Sequence, residues 1–142
     1  MIYETLQILK EQIESYFNEI GLQDLVILDN IALWESSANN DAENINNKVV
    51  ITLLKLEEET TLKNAPSHKL NNLKTEYKNP PVHLNLYLLI CANFQAYDRS
   101  LRSISKVIEF FQSKKVFTSA NTVYKRDNVS MDVLDRFKFN LD

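Results

Sequence analysis

Hydrophobic residues recur along the first segment of the chain at the spacing of an α-helix. Steps of four, three, four, four and three residues separate the members of one apolar stripe, which are Ile2, Leu6, Leu9, Ile13, Phe17 and Ile20. Such a stripe predicts a helix over residues 1–20 whose apolar face packs on a sheet. A face that binds a partner is the alternative interpretation. Gly21 follows directly, where a left-handed residue would end the helix.

The next apolar segments have the composition of β-strands. Residues 24–34, DLVILDNIALW, predict one strand, or two short strands bent near Asp29 and Asn30. Residues 48–59, KVVITLLKLEEE, predict a second strand that is β-branched at its start and acidic where it reaches water. Between them, the segment SSANNDAENINN has no apolar period and predicts a solvated loop or hairpin tip.

Residues 58–80 contain few apolar side chains and no sustained period, which predicts a long loop. Loops of this length are uncommon inside a compact domain, and they are usually functional or disordered. The segment carries several lysines, including Lys69 and Lys74, and the aromatic Tyr77. Two compatible interpretations stay open, which are disorder in the free protein and ordering by contact with a partner.

A third strand is predicted in KNPPVHLNLYLLICANF, where two prolines precede the most apolar stretch of the chain. Because Pro80 and Pro81 lack amide hydrogens, strand pairing is not expected to extend back past them. Alternation gives the strand one wholly aliphatic face, which we expect on the core; its members are Val82, Leu84, Leu86, Leu88 and Ile90. The other face begins polar and becomes apolar near Cys91, so we expect the strand to end buried on both sides.

A second helix is predicted over residues 97–114, within AYDRSLRSISKVIEFFQSKK. The residues expected to face inward are Leu101, Ile104, Val107, Ile108 and Phe111. Arg99, Arg102 and Lys106 form a basic row, which indicates either a solvated face or an electrostatic docking face for an acidic partner. Residues 121–142 show little regular pattern until RFKFNL, which alternates like a strand. With no internal repeat or linker, residues 1–142 are predicted to form a single α+β domain.

Composition excludes several classes of function. At 142 residues and net charge −3, the chain shows no global attraction to nucleic acid or to anionic lipid. A single glycine cannot build a phosphate-cradling or dinucleotide-binding loop. The acids of the first segment argue against a signal peptide, and no apolar run is long enough to span a membrane.

The residues predict no catalytic, cofactor-binding or metal site. His68 and His83 lie far apart, and Cys91 sits in the most apolar part of its strand, where a buried structural thiol is expected. The acids Glu57–Glu59 mark where the second strand emerges into water. A cation site there is a remote alternative, because consecutive strand residues point to opposite faces. A small hydrolase that uses His83 or His68 with a nearby carboxylate is kept as a remote alternative.

Several landmarks, taken in order, resemble one family. They are the amphipathic first helix, Asn64 close after the second strand, the NPP-V-x-L-x-L-x-L-L strand and the helix ending FFQSKKVF. Together they cover residues 1 to 120 and resemble the N-terminal domain family of cap, or tail-terminator, proteins of contractile injection systems. These systems are phage-tail-like particles of the virulence-cassette and antifeeding-prophage type.

The resemblance implies a tail-terminator-like fold, with a mainly antiparallel sheet flanked by an N-terminal and a C-terminal helix. It also implies a structural protein without cofactor that forms a hexameric ring of its own copies. Such a ring ends the inner tube and sheath, stops their polymerisation and fixes their length. The chain would then reside in the bacterial cytoplasm and enter the particle, and residues 121–142 would be a tail that can be extended or exchanged.

The basic and aromatic residues that we expect to contact tube or sheath proteins are Lys69, Lys74, Tyr77, Arg99, Arg102 and Lys106. No contact with nucleic acid and no membrane insertion are expected. A monomeric adaptor that binds a peptide or an effector is the alternative from another functional class.

Overall fold

The computed structural model describes residues 2–35, 45–60, 68–71, 74–77, 82–123 and 138–141. Its elements in chain order are α1 (Ile2–Glu19), β1 (Leu25–Leu28), a 3-10 helix (Ile31–Glu35), β2 (Lys48–Glu58), β3 (His68–Asn71), β4 (Lys74–Tyr77), β5 (Leu84–Asn93), α2 (Tyr97–Ser113), β6 (Val116–Thr118) and β7 (Lys138–Asn140). Two helices and antiparallel-dominated sheets in these ranges confirm the α+β class. The chain divides into a larger unit, Met1–Thr52 with Leu89–Asp142, and a smaller unit, Leu53–Leu88.

The larger unit buries the apolar face of α1, as the stripe predicts. Leu9, Ile13 and Phe17 are at most 2% exposed, whereas Ile20 at the end of the stripe is 40% exposed. Gly21, two residues after the last residue of the helix, has a φ of 77°. A glycine adopts this left-handed conformation without the steric penalty of a side chain, so the predicted end of the helix is confirmed.

β1 is shorter than predicted, and a 3-10 helix follows it instead of a second strand. The expected bend at Asp29 and Asn30 is present, but the expectation of a second strand is wrong. The amide of Asn30 donates to Asp29 Oδ1 at 2.7 Å, and Asn30 Oδ1 accepts from the amide of Ala32 at 3.1 Å. Local side-chain bonds of this kind offer the backbone an alternative to sheet pairing.

β2 is the central strand of a three-stranded sheet with the order β1-β2-β5. β1 lies parallel to it, with Leu25 opposite Lys48 at the first register position. At the start of β2, the consecutive residues Val49, Val50 and Ile51 are all buried. Since neighbouring strand residues point to opposite faces, the sheet is covered on both sides at this point.

The contacts between β2 and β5 run antiparallel. Just before β2, the carbonyl of Ile45 accepts from Asn93 Nδ2 at the end of β5, at 3.0 Å. Just after β2, the amide of Glu59 donates to the carbonyl of His83, ahead of β5, at 2.9 Å. The start of one strand therefore meets the end of the other.

The burial predicted for β5 is wrong on both of its faces. None of the aliphatic positions Val82, Leu84, Leu86, Leu88 and Ile90 is buried, and Val82 is 63% exposed. The strand also does not end buried on both sides, because Cys91 is only half-buried. The physical reason is that the first part of β5 belongs to the smaller unit, whose described elements are all strands. No helix of the described part of that unit covers the ribbon of β2 and β5, so its apolar face stays open.

The segment predicted as a long loop contains a β-hairpin, which corrects that description. β3 and β4 pair antiparallel, with His68 opposite Tyr77 and Asn71 opposite Lys74. The strand sequences HKLN and KTEY carry no clear apolar alternation, so periodicity could not reveal them. The landmark Asn64 and the two adjacent prolines of the sequence lie outside the described residues.

The strand predicted in RFKFNL is present as β7, which pairs antiparallel with β6. The rings of Phe117 on β6 and Phe139 on β7 stack with their centroids 4.9 Å apart. Phe117 is fully buried, and its ring centroid lies 6.0 Å from the ring centroid of Phe110 in α2. The small sheet therefore packs against α2 within the larger unit. The remainder of the predicted tail, residues 124–137, lies outside the described residues.

α2 occupies Tyr97–Ser113, close to its predicted bounds, and Val107 is buried as predicted, but the rest of the buried face differs from the predicted one. The buried residues are Ser103, Val107 and Phe110, whereas Leu101 and Ile108 are 51% and 52% exposed. The expected inward position of Leu101 and Ile108 is therefore wrong. The helix is rotated because Ser103 binds a buried carboxylate, which an apolar pattern cannot indicate.

Candidate functional site

The predicted basic row lies on α2, and the structure gives each of its three cations a different environment. Arg99 forms an ion pair with Asp24, immediately before β1, through Nη2 at 2.6 Å and Nε at 3.2 Å, both to Oδ1. Its guanidinium also lies over the ring of Phe94, with Cζ 4.5 Å from the centroid. Arg99 therefore fastens the start of α2 to the sheet, while half of its side chain stays exposed.

Asp24 is the buried centre of this network. Its side chain is 2% exposed, and its second oxygen, Oδ2, accepts a short hydrogen bond from the hydroxyl of Ser103. A buried carboxylate needs such partners, because removing a charge from water without compensation costs several kcal/mol, about 3–5 when one partner of a buried pair is lost. Sequence reasoning missed this pair, since Asp24 and Ser103 carry no local signal that links them.

Lys106 also forms an ion pair within the chain. Its Nζ lies 2.9 Å and 2.7 Å from the two carboxylate oxygens of Glu109, one turn later on the exposed side of α2. The hydroxyl of Tyr16 on α1 donates to the same carboxylate at 3.2 Å. The hydrogen bond to Glu109 raises the pKa of Lys106, and the same bond lowers the pKa of Glu109. Both side chains are exposed to solvent, so the ion pair within α2 contributes little, and the Tyr16 hydrogen bond is a weak link between α1 and α2.

Arg102 is the member of the row whose charge has no partner among the described residues. It lines a surface groove of about 520 Å³ in the larger unit. The apolar part of the groove is made by Ile20, Leu22 and Leu101. We call this surface the Arg102 groove. It combines aliphatic side chains with the Lys106–Glu109 pair and with a cation that has no partner in the described ranges, which suits an apolar segment that carries a carboxylate.

The other three predicted contact residues lie on the hairpin of the smaller unit. The register places Lys69 opposite Glu76, Lys74 opposite Asn71 and Tyr77 opposite His68. The side chains of Lys69, Lys74 and Tyr77 lie outside the part that the structure describes, so their role as partner contacts stays a prediction.

The residues weighed for catalysis are not brought into a site by the described part of the chain. His83 is exposed ahead of β5, and no group of three potential ligands converges anywhere in the described ranges. Cys91 lines a second groove of about 460 Å³ beside Trp34 and Asn93. Burial raises the pKa of the Cys91 thiol, which disfavours the reactive thiolate form.

Over residues 4–141 the chain matches the family model described as the Pvc16 N-terminal domain. The chain belongs to the Pvc16 N-terminal domain family. This family is associated with phage-tail-like particles of the virulence-cassette type, and membership indicates a structural component of a contractile-injection-like system. The resemblance read from the sequence is thus confirmed at the level of the family. None of the curated proteins matches this chain.

This Pvc16-type domain exposes an aliphatic surface on its smaller unit. Lys55 on β2 pairs with Glu57, and its Nζ lies 5.6 Å from the ring centroid of Tyr87 on β5, so these side chains share one polar face of the ribbon. By alternation, the opposite face carries Leu54 and Leu84, which are 62% and 38% exposed. The sequence predicted an aliphatic face here but placed it on the core.

The described helices of this Pvc16-type domain are too short or too polar to cross a membrane. What the domain presents on its larger unit is the Arg102 groove, and on its smaller unit an aliphatic ribbon face. Both are open surfaces, unlike the enclosed, concave sites that bury most of a small ligand.

Proposed function

We propose that this chain is a subunit of the cap, or tail terminator, of a contractile injection particle. In this proposal six copies close into a ring on the end of the inner tube and sheath, stop polymerisation and fix the length of the particle. The observation that carries the proposal is the match to the Pvc16 N-terminal domain across residues 4–141. A match of that extent spans nearly the whole fold, not a shared fragment.

The exposed surfaces support a role in assembly. A closed ring uses heterologous contacts, so each subunit needs two different patches for its neighbours and a further one for the structure that it ends. The larger unit offers the Arg102 groove, with apolar side chains and one cation without a partner among the described residues. The smaller unit offers leucines such as Leu54 that remain 62% exposed. Exposed apolar area of this kind is typical of protein contact sites.

The proposal assigns the chain no catalytic step and no cofactor. Its partners are other copies of itself and the tube and sheath proteins, without nucleic acid and without membrane insertion. Its place is the bacterial cytoplasm, where particles assemble, and then the particle itself. Arg102 is the residue of the basic row that we expect to contact a carboxylate of the tube or sheath, because Arg99 and Lys106 already have partners.

The test is reconstitution with purified tube and sheath proteins. We expect the chain to bind at assembly ends and to shorten the length distribution, as seen by negative-stain electron microscopy. Arg102→Glu should weaken end binding, whereas Lys138→Glu makes the same change of charge on β7 and should not. Tubes and sheaths that grow without limit and without bound protein, at saturating concentration, would reject the cap proposal.

The adaptor alternative predicts a different result in the same experiment. A monomeric adaptor would leave the length distribution unchanged and would not decorate assembly ends at any concentration. Native mass measured on the same samples distinguishes the cap from the adaptor, since a ring contains several copies of the chain and an adaptor is a monomer.

A further inference from the structure

The two walls of the Arg102 groove come from different segments of the larger unit. One wall is formed by Ile20 and Leu22, just after the end of α1. The other wall is formed by α2, where Leu101 and Arg102 line the groove. Because these segments are distant in the sequence, the width of the groove and the position of Arg102 in it depend on how α2 is held against the end of α1.

One buried carboxylate connects the two walls. Asp24 follows Leu22 by two residues, so their Cα atoms are at most about 7 Å apart. Its Oδ2 accepts a short hydrogen bond from the hydroxyl of Ser103, the residue directly after Arg102. Its Oδ1 accepts from Nη2 of Arg99 at 2.6 Å, and Arg99 lies one turn before Ser103 on the same face of α2. Two donors one turn apart thus fix both the position and the rotation of the helix.

The connection that carries Asp24 is itself bonded to α1. The amide of Leu22 donates to the carbonyl of Phe17 at 2.8 Å. The amide of Val26 donates to Oε1 of Glu14 at 3.2 Å. These bonds lie on either side of Asp24 in the sequence, so the carboxylate is anchored to the first wall. The side chain of Asp24 is 2% exposed, which keeps water from competing for its hydrogen bonds.

The rotation of α2 has to be specified by such bonds, because the apolar pattern of the helix favours another face. Ile108 belongs to the face that spacing predicts to be buried, yet it is 52% exposed. A rotation of α2 by about 20° would move side chains at the helix surface, roughly 5–6 Å from the axis, by about 2 Å. Binding sites tolerate displacements of only about 0.5 Å. The position of Arg102 in the groove therefore depends on the bonds that Ser103 and Arg99 make.

We propose that Asp24 is the positioning residue of the Arg102 groove. By binding Ser103 and Arg99, it sets the rotation of α2 that places Arg102 opposite Ile20 and Leu22. The inference rests on the proposed function, in which Arg102 contacts a carboxylate of the tube or sheath. It adds that a buried residue, which touches no partner, controls docking on the surface above it.

The first measurement is made on the free, full chain. Residual dipolar couplings of the backbone amides, measured by NMR, report the rotation of α2 relative to α1. Ser103→Ala removes the hydrogen bond to Oδ2 and should rotate α2 by about 10–20°, or reduce its couplings through averaging. Asp24→Ala, which removes both bonds, should change the couplings at least as much. Circular dichroism establishes that each variant is folded, and Ser103→Ala, the milder change, carries the test if Asp24→Ala is not.

Val50→Ala is the matched control for these variants. Val50 is fully buried on β2 and does not line the groove, so its truncation lowers stability without touching either wall. The couplings of α2 in Val50→Ala should match those of the wild type. A role of Asp24 in stability alone would instead make Ser103→Ala behave like this control.

The second measurement is binding to the ends of tube and sheath assemblies, counted by negative-stain electron microscopy. Ser103→Ala should weaken end binding by about tenfold, because a displaced Arg102 loses its charged hydrogen bond to the partner. Val50→Ala should bind like the wild type. Wild-type couplings or wild-type end binding in Ser103→Ala would overturn the inference. A wild type that binds no ends would reject the cap proposal and the docking role with it, while the couplings of the free chain decide separately whether Asp24 sets the rotation of α2.

Discussion

Replacing Arg99 by methionine tests the network that fastens α2 to the start of β1. The change keeps an apolar stem over the ring of Phe94 but removes the cation that neutralises Asp24, whose side chain is 2% exposed. Breaking a buried pair by removing one partner costs about 3–5 kcal/mol. Since half of the Arg99 side chain is exposed, water can replace part of its interaction, and Ser103 still donates to Oδ2. We therefore expect a loss of about 1.5–3 kcal/mol in the free energy of unfolding, at the level of a charged hydrogen bond.

The assay is urea unfolding followed by the fluorescence of Trp34, the single tryptophan, which lies in the same unit as the pair. Arg102→Met is the matched control, because it removes a cation that has no partner in the described residues and should change stability by less than about 0.5 kcal/mol. Asp24→Asn in the Arg99→Met background should cost less than in the wild type, since the unpaired charge is gone. Equal losses for the two arginine variants, or additive losses for Arg99 and Asp24, would refute the reasoning.

Three further predictions concern the core, a surface pair and the thiol. Phe117→Ala should lower the free energy of unfolding by about 3–5 kcal/mol in the same urea assay, because it removes a fully buried ring that stacks on another. By NMR, the carboxyl of Glu109 should titrate below its ordinary pKa, and Lys106→Met should raise that pKa. The small stability linked to Glu109 is present above its unfolded pKa and is lost as pH falls through the lowered folded value. Cys91 should react with iodoacetamide at pH 8 more slowly in the folded than in the urea-unfolded chain, as mass spectrometry would show, because burial raises its pKa.

The elements that periodicity predicted well are those whose signal is local. The stripe of α1, the β-branched start of β2 and the alternation of β5 each identified the element and its approximate ends. The prediction failed where it had to choose which face of an element packs on the core. α2 has two candidate faces with similar spacing, and the apolar count favours the one with Leu101 and Ile108. The structure buries the face with Ser103 instead, because Asp24, far away in the sequence, supplies its hydrogen-bond partner.

The candidate site was predicted only in part, because spacing along a helix does not reveal hydrogen-bond and ion-pair partners. Sequence spacing correctly aligned Arg99, Arg102 and Lys106 along one helix, but it could not reveal that Asp24 and Glu109 compensate two of the three charges. The hairpin β3–β4 escaped detection because its strand sequences, HKLN and KTEY, carry no clear apolar alternation.

The ion pairs of Arg99 and Lys106 reduce the positive charge that α2 can offer to a docking partner. If all three cations were free, binding through this face would depend steeply on salt. With Arg99 and Lys106 already paired, Arg102 is the cation of the row that has no partner in the described part of the chain, so screening should weaken the contact only modestly. The affinity must then come mainly from the apolar side chains of the groove, Ile20, Leu22 and Leu101.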